Sequence, residues 1–285
     1  MSLAMPLDTA RTGSPVRLDA RALAARTPLL WWGGWALLLA ALPTLVAITL
    51  DDRLFNGISV WIKPAKFMVS AGVHLLTLAL CAAWWPLPQA RGRLKGLEWV
   101  ALLTALFEVV YITWRASRGE ASHFNLATPF SQLMYSLMGI GAVALTGCAG
   151  VMGWTFWRAG DRSAASRDRL LHTGVVLGLM LGWLLGTVSG AWVGGSSTGH
   201  WVGGTPSDAG GLPLLGWSRD GGDLRVAHFF GLHAMQALPL FAAALWRFGP
   251  ASTVQARGWL LTGAALYTAL TVAVFVQAVS GQPLV

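Results

Sequence analysis

Long uncharged runs of apolar residues recur along the chain, separated by short polar segments that carry most of the charge. No ionised side chain occurs between Arg26 and Asp51, between Lys66 and Arg91, or between Arg225 and Arg247. A helix of about 20 apolar residues crosses the hydrocarbon core of a bilayer. Seven stretches qualify, at residues 29–50, 67–85, 96–114, 129–157, 170–193, 226–246 and 258–280. Helix is the element they predict, because an unpaired strand edge cannot satisfy its backbone groups in lipid. The expectation is an all-α, polytopic membrane domain of seven helices over residues 29–285, preceded by a basic tail at 1–28. A glycine-rich connection at 194–225 separates the fifth and sixth spans and reads as a flexible lid or a disordered loop.

Composition agrees with that pattern. A soluble domain carries about 25% charged residues, whereas this chain of 285 residues carries 11% and is 55% hydrophobic. The deficit requires an exterior that faces lipid. The net charge of +8 is spread between the apolar runs rather than gathered into a patch, so nucleic acid is not an expected partner. Cys81 and Cys148 lie inside apolar segments and indicate neither a disulfide framework nor a thiolate metal site.

The basic residues also predict orientation. Thirteen of the twenty Lys and Arg residues fall on the side of the amino terminus, including Arg11, Arg17, Arg21, Arg26, Arg91, Arg93 and Lys95. Seven fall on the other side, among them Arg53, Lys63, Lys66, Arg219 and Arg225. The richer side is expected to be cytoplasmic, which puts the amino terminus inside and the carboxyl terminus outside. The first 28 residues lack the apolar core of a cleavable signal peptide, so the first span is expected to act as the signal anchor. Asp8 and Asp19 count against a mitochondrial presequence, and the Ala-, Gly- and Arg-heavy usage points to a bacterial inner membrane.

Candidate chemistry gathers on the outer side, where five of the six histidines fall. Lys66, Ser70 and His74 recur every four residues on one face of the second span, and Thr104, Glu108, Tyr111 and Arg115 form a stripe on the third. Arg225, His228, His233 and Gln236 occupy an arc of the sixth. At about 1.5 Å per residue, His74, Glu108 and His233 should all lie ~10–12 Å below the outer boundary. Glu108 stands out because a carboxylate at the bilayer centre costs at least ~2.5 kcal/mol on insertion scales. Ser, Thr, Gln and His in such spans otherwise serve as hydrogen-bonding glue between helices.

Three readings follow. Lys66-x5-Gly72-Val73-His74 and Arg225-x5-Gly231-Leu232-His233 are parallel patterns on two helices running in the same direction. They suggest a b-type haem with His74 and His233 as axial ligands and Lys66, Arg225, Arg115 and Gln236 around it. The task would then be electron transfer or oxidation, with a quinone or another small hydrophobic molecule as a compatible partner. Second, Ser70-Ala71-Gly72-Val73-His74 is similar to the Ser-x3-His element of the ceramidase and progestin-receptor-like membrane superfamily. That resemblance implies a zinc-dependent membrane hydrolase, with metal ligands drawn from His74, His233, His228 and His123 and with Glu108 activating water. The superfamily's final pair is His-x3-His, whereas His228 and His233 here are spaced His-x4-His. Third, a cofactor-free, proton-coupled transporter or sensor would use buried Glu108 as its proton site, with Pro64 and Pro239 marking an interrupted entry and a kink.

Overall fold

Helix starts are written into the chain by residues that satisfy or dispense with the first backbone N–H groups. Pro28 and Pro129 open two of the long helices, and Thr128, Asp223 and Ser252 accept backbone N–H groups of the turns that follow them. The computed structural model describes residues 19–85, 91–160, 166–250 and 252–285. Most of the predicted basic tail, residues 1–18, lies outside the described residues. A short helix, Ala20–Arg26, leads into the bundle.

The long helices are α1 (Pro28–Leu50), α2 (Ile62–Cys81, continued by a 3-10 turn at Ala82–Trp84), α3 (Arg91–Ser117), α4 (Pro129–Ala159), α5 (Ser166–Gly195), α6 (Leu224–Phe248) and α7 (Thr253–Val279). All seven are long and apolar enough to cross a membrane. The chain is thus an all-α, multi-pass membrane-spanning protein. Most helices run past the apolar stretches that predicted them, because the hydrogen-bond ladder continues into polar residues. In α2 this adds five residues and places Lys63 and Lys66 on the helix rather than in the preceding loop. Leu39, Val46, Val110, Ile140, Leu240 and Leu266 point outward and make an apolar exterior, as a lipid-facing surface requires.

Neighbouring helices pack in chain order, with additional contact between α1 and α3 and between α5 and α7. Small residues set the closest approaches, as they do where helices meet in lipid. In α5, glycines 174, 178, 182, 186 and 190 form a ladder with one step per turn against α6. A β-carbon added at Gly178 would lie 2.9 Å from the Ala234 carbonyl, and one at Gly190 would lie 2.8 Å from His228 Cε1. Gly34 of α1 and Gly72 of α2 meet in the same way, each against the other's backbone carbonyl.

Two short hairpins sit at one end of the bundle. Leu54–Phe55 (β1) pairs antiparallel with Ile58–Ser59 (β2), and Trp201–Val202 (β3) with Gly222–Asp223 (β4). Residues 196–223 form a folded cap on this end, not the loose connection expected from glycine content. Leu212 N–H donates to the Trp217 carbonyl at 2.9 Å, Thr205 N–H to Asp220 at 3.0 Å, and Asp208 N–H to the Asn56 carbonyl at 2.9 Å. Trp217 is buried among Val226, Ala227 and Val274. The glycines serve the turns: Gly203, Gly204 and Gly216 hold φ near +65°, which L side chains rarely adopt. Gly222 lies so close to the Ala278 carbonyl of α7 that no side chain fits there.

Candidate functional site

Beneath the cap, α2, α3 and α6 carry several buried polar groups that lack hydrogen-bond partners. Among the described residues they include both carboxylate oxygens of Glu108, the Tyr111 hydroxyl, His74 Nε2 and Gln236 Oε1. Glu108 is only 6% exposed, and its Oε1 rests against Gly141 of α4, where an added β-carbon would be 3.4 Å away. Lys63, one turn before Phe67 on α2, lies within electrostatic reach of Glu108, Asp208 and Arg225. Its ammonium is 5.9 Å from the centre of the Phe67 ring. No hydrogen bond or ion pair joins Lys63 and Glu108 among the described residues.

Three other cations near this end are engaged. Arg225 donates to Asp223, with Nη2–Oδ2 at 2.7 Å, and to the Gly216 carbonyl at 2.6 Å, and its Nη1 lies 2.9 Å from Asp208. Lys66 donates to the Leu215 carbonyl at 2.8 Å. Arg115 is not the counter-charge of Glu108: it pairs with Glu120 at 2.7 Å and donates to the Ala121 carbonyl. In the cap, His200 stacks on Trp201 with ring centroids 3.7 Å apart, and its Nε2 faces Asp208 at 3.3 Å. Burial holds His200 below an ordinary imidazole's value. Burial alone would raise Asp208, but the facing His200 and Arg225 leave its carboxyl below the usual range. His123 packs on Phe67 and Tyr135 with Ser122 Oγ 3.1 Å from Nδ1. Burial, with Lys63 beside it, holds this imidazole well below its ordinary value, so the ring is uncharged at neutral pH.

The three imidazoles deeper in the bundle divide their roles. His74 bonds to the Leu145 carbonyl of α4 and lies within electrostatic reach of His233. His233 stacks on Phe229 at 4.0 Å. His228 turns toward the glycine ladder, where Nδ1 lies 3.0 Å from the Gly186 carbonyl and 3.4 Å from Ser189 Oγ. It thus holds α6 to α5, the interhelical role common for polar residues in spans.

These positions correct the supports expected for a haem. Gly72 and Gly231 pack against α1 and α5 respectively, so neither opens a face for a porphyrin. Lys66 and Arg225 are occupied by the cap rather than free for propionates. Gln236 Nε2 donates to Thr77 Oγ1 at 3.0 Å, which joins α2 and α6 three residues beyond His74 and His233. Lys66, Arg225, Gly72 and Gly231 are thus all engaged by the protein itself. The four-histidine zinc set does not assemble: among the described residues no three His, Cys, Asp or Glu side chains are grouped to hold a metal ion. Ser70, the first residue of the Ser-x3-His resemblance, is exposed on the outer surface of α2.

Several contributors were not among the expected site residues. Lys63 sat in a segment read as loop, and Asp208 lay inside a glycine-rich stretch with no motif around it. Thr77, in the midst of an apolar run, shows its role only through its partner on α6. No family model matches the chain, and no curated protein or solved structure is significantly similar to it.

Proposed function

We propose that this chain is a proton-coupled membrane carrier that binds a small polar solute beside Glu108, beneath its cap. The observation that carries this reading is Glu108, a buried carboxyl whose two oxygens meet no hydrogen-bond donor among the described residues. An unpartnered ionised carboxylate at that depth is costly. Glu108 therefore holds a proton, or meets water or a solute that donates to it. Tyr111, His74 and Gln236 offer further unpaired atoms, and buried polar atoms of this kind are ordinarily satisfied by water or ligand. The distribution of Lys and Arg supports an amino terminus in the cytoplasm, with the cap facing outward. In a bacterium that membrane is the inner one.

Infrared difference spectra of the purified protein between about pH 5 and pH 9 test the proton site. A carboxylic acid band that titrates in the wild type and is missing in Glu108→Gln supports the proposal. No Glu108-dependent band across that range overturns it. A visible spectrum and metal analysis of the same sample separate the alternatives. A Soret band lost in His74→Ala would replace the proposal with haem binding, and stoichiometric zinc would replace it with metal-dependent hydrolysis.

A further inference from the structure

Helices α2 and α6 are not among the closely packed helix pairs of the bundle, yet hydrogen bonds join them at two levels. At the inner level Gln236 Nε2 donates to Thr77 Oγ1 at 3.0 Å. At the outer level the link runs through the cap. Lys66 Nζ donates to the Leu215 carbonyl at 2.8 Å, and Arg225 Nη2 to the next carbonyl, that of Gly216, at 2.6 Å. Lys66 precedes Thr77, and Arg225 precedes Gln236, by the same eleven residues, which is ~16 Å of helix. The two helices thus run in register, with their linking side chains on matching faces. His74 and His233 lie at equal depth between the links. His74 Nε2 and Gln236 Oε1 have no hydrogen-bond partner among the described residues.

The outer link is a strap, residues 212–217, with a firm root and a strained tip. At the root Leu212 N–H donates to the Trp217 carbonyl at 2.9 Å and Gly216 N–H to the Leu212 carbonyl at 2.6 Å. Leu212 and Trp217 pack with Val226, Ala227 and Val274 of α6 and α7. At the tip Leu215 N–H donates to the Pro213 carbonyl at 2.8 Å, closing a three-residue turn around Leu214 at φ +66°. Such a turn is rare and strained for a residue with a side chain. Leu214, 94% exposed, has almost no packing to offset that strain. The tip reaches α2 through the Lys66 bond. Building on the carrier reading above, we propose that this strap is a gate across the α2–α6 gap, hinged at Trp217 and latched by Lys66. When Lys66 lets go, the tip leaves α2 and Leu214 relaxes from its left-handed conformation. The gap that holds His74 and His233 then opens toward the cap side.

Thiol labelling of the full chain in mild detergent tests this. A His233→Cys variant is treated with a small, water-soluble methanethiosulfonate and followed by intact mass, with the buried Cys81 and Cys148 as internal controls. Adding Lys66→Met should speed labelling at position 233 about tenfold or more, the scale of one hydrogen bond from a charged donor. Adding Lys66→Arg, which keeps a donor, should leave the rate near its starting value. Adding Leu214→Asn, which adopts the left-handed conformation more readily, should steady the closed strap and slow the labelling. A Phe229→Cys reporter, one turn nearer the strap, should show the same order of rates. Equal rates with and without Lys66→Met overturn the inference. So does acceleration that extends to Cys81 and Cys148, since the whole bundle would then have loosened. A faster rate in Leu214→Asn overturns it too, because the strain would then be holding the strap shut. These rates do not depend on the infrared band of Glu108, so the gate and the proton site can fail separately.

Discussion

Helix α3 carries two buried glutamates ten residues apart, Glu98 and Glu108, with exposures of 4% and 6%. Glu98 lies at the end of the bundle opposite the cap and accepts the backbone N–H of Leu29 at 3.0 Å. It thereby satisfies the first turn of α1, where Pro28 occupies the helix start and the positive end of the helix dipole favours an anion. Glu108 lies in the cap-side half and accepts no hydrogen bond among the described residues. Burial and residue type are the same, so only the partners differ. A carboxylate that completes a neighbouring helix belongs to the architecture, whereas one left without a partner is available for chemistry.

The comparison breaks most readily on stability. Glu98→Ala should destabilise the bundle by about 1–3 kcal/mol, because backbone donors of α1 lose their acceptor inside the protein. Glu108→Leu should instead raise stability, by up to about 2.5 kcal/mol, since it removes a costly buried group. Unfolding in mixed detergent micelles measures both, and the opposite signs are the expectation. Equal losses at the two sites would make Glu108 a structural residue like Glu98.

A smaller effect should appear in the cap. His200 is held below its ordinary value, so the unfolded cap takes the proton first. The stability it lends is present above about pH 6.5 and declines as the pH falls below that value. Asp208, also held below its usual range, adds a second loss below about pH 3.9. Amides of residues 203–223 should therefore be less protected from hydrogen exchange at pH 5 than at pH 7.5, after correction for intrinsic exchange chemistry. Unchanged or greater protection at pH 5 would show that burial of His200 does not penalise its charged form in the cap.

The smallest effect is expected at the Thr77–Gln236 bond between α2 and α6. Beyond Thr77 the inward residues of α2 are Leu78, Ala79, Cys81 and Ala82, all in the apolar core. Thr77→Val should cost about 0.6 kcal/mol, the average for such interhelical bonds. Combined with Gln236→Leu in a double-mutant cycle, it should show a coupling of similar size.

The spans were legible because lipid imposes one rule along the whole chain: a long enough apolar run must be a helix. Glu108 was legible for the same reason, as the acid at the middle of such a run. Partners were not. The 4-3-4 stripe from Thr104 to Arg115 places Arg115 on Glu108's face, yet the turn after α3 offers Glu120 nearer to the guanidinium. The matching Gly-x-His patterns of α2 and α6 place their glycines in two separate close packings, onto α1 and onto α5. The cap escaped notice because its order comes from backbone hydrogen bonds at glycine turns, which leave no apolar periodicity to read.

The glycine ladder on α5 has a mechanical consequence. With five of its turns set against α6, that pair behaves as a single stiff board carrying Arg225, His233 and Gln236. The facing board is α1 with α2, locked at Gly34 and Gly72 and clipped to α3 through Glu98, and it carries Lys63, His74 and Glu108. Thr77 with Gln236 clasps the two boards, and Lys66 with the Leu215 carbonyl clasps the second board to the cap, each through a single hydrogen bond. Opening the book along α4 as its spine would release these clasps without prying apart either glycine seam.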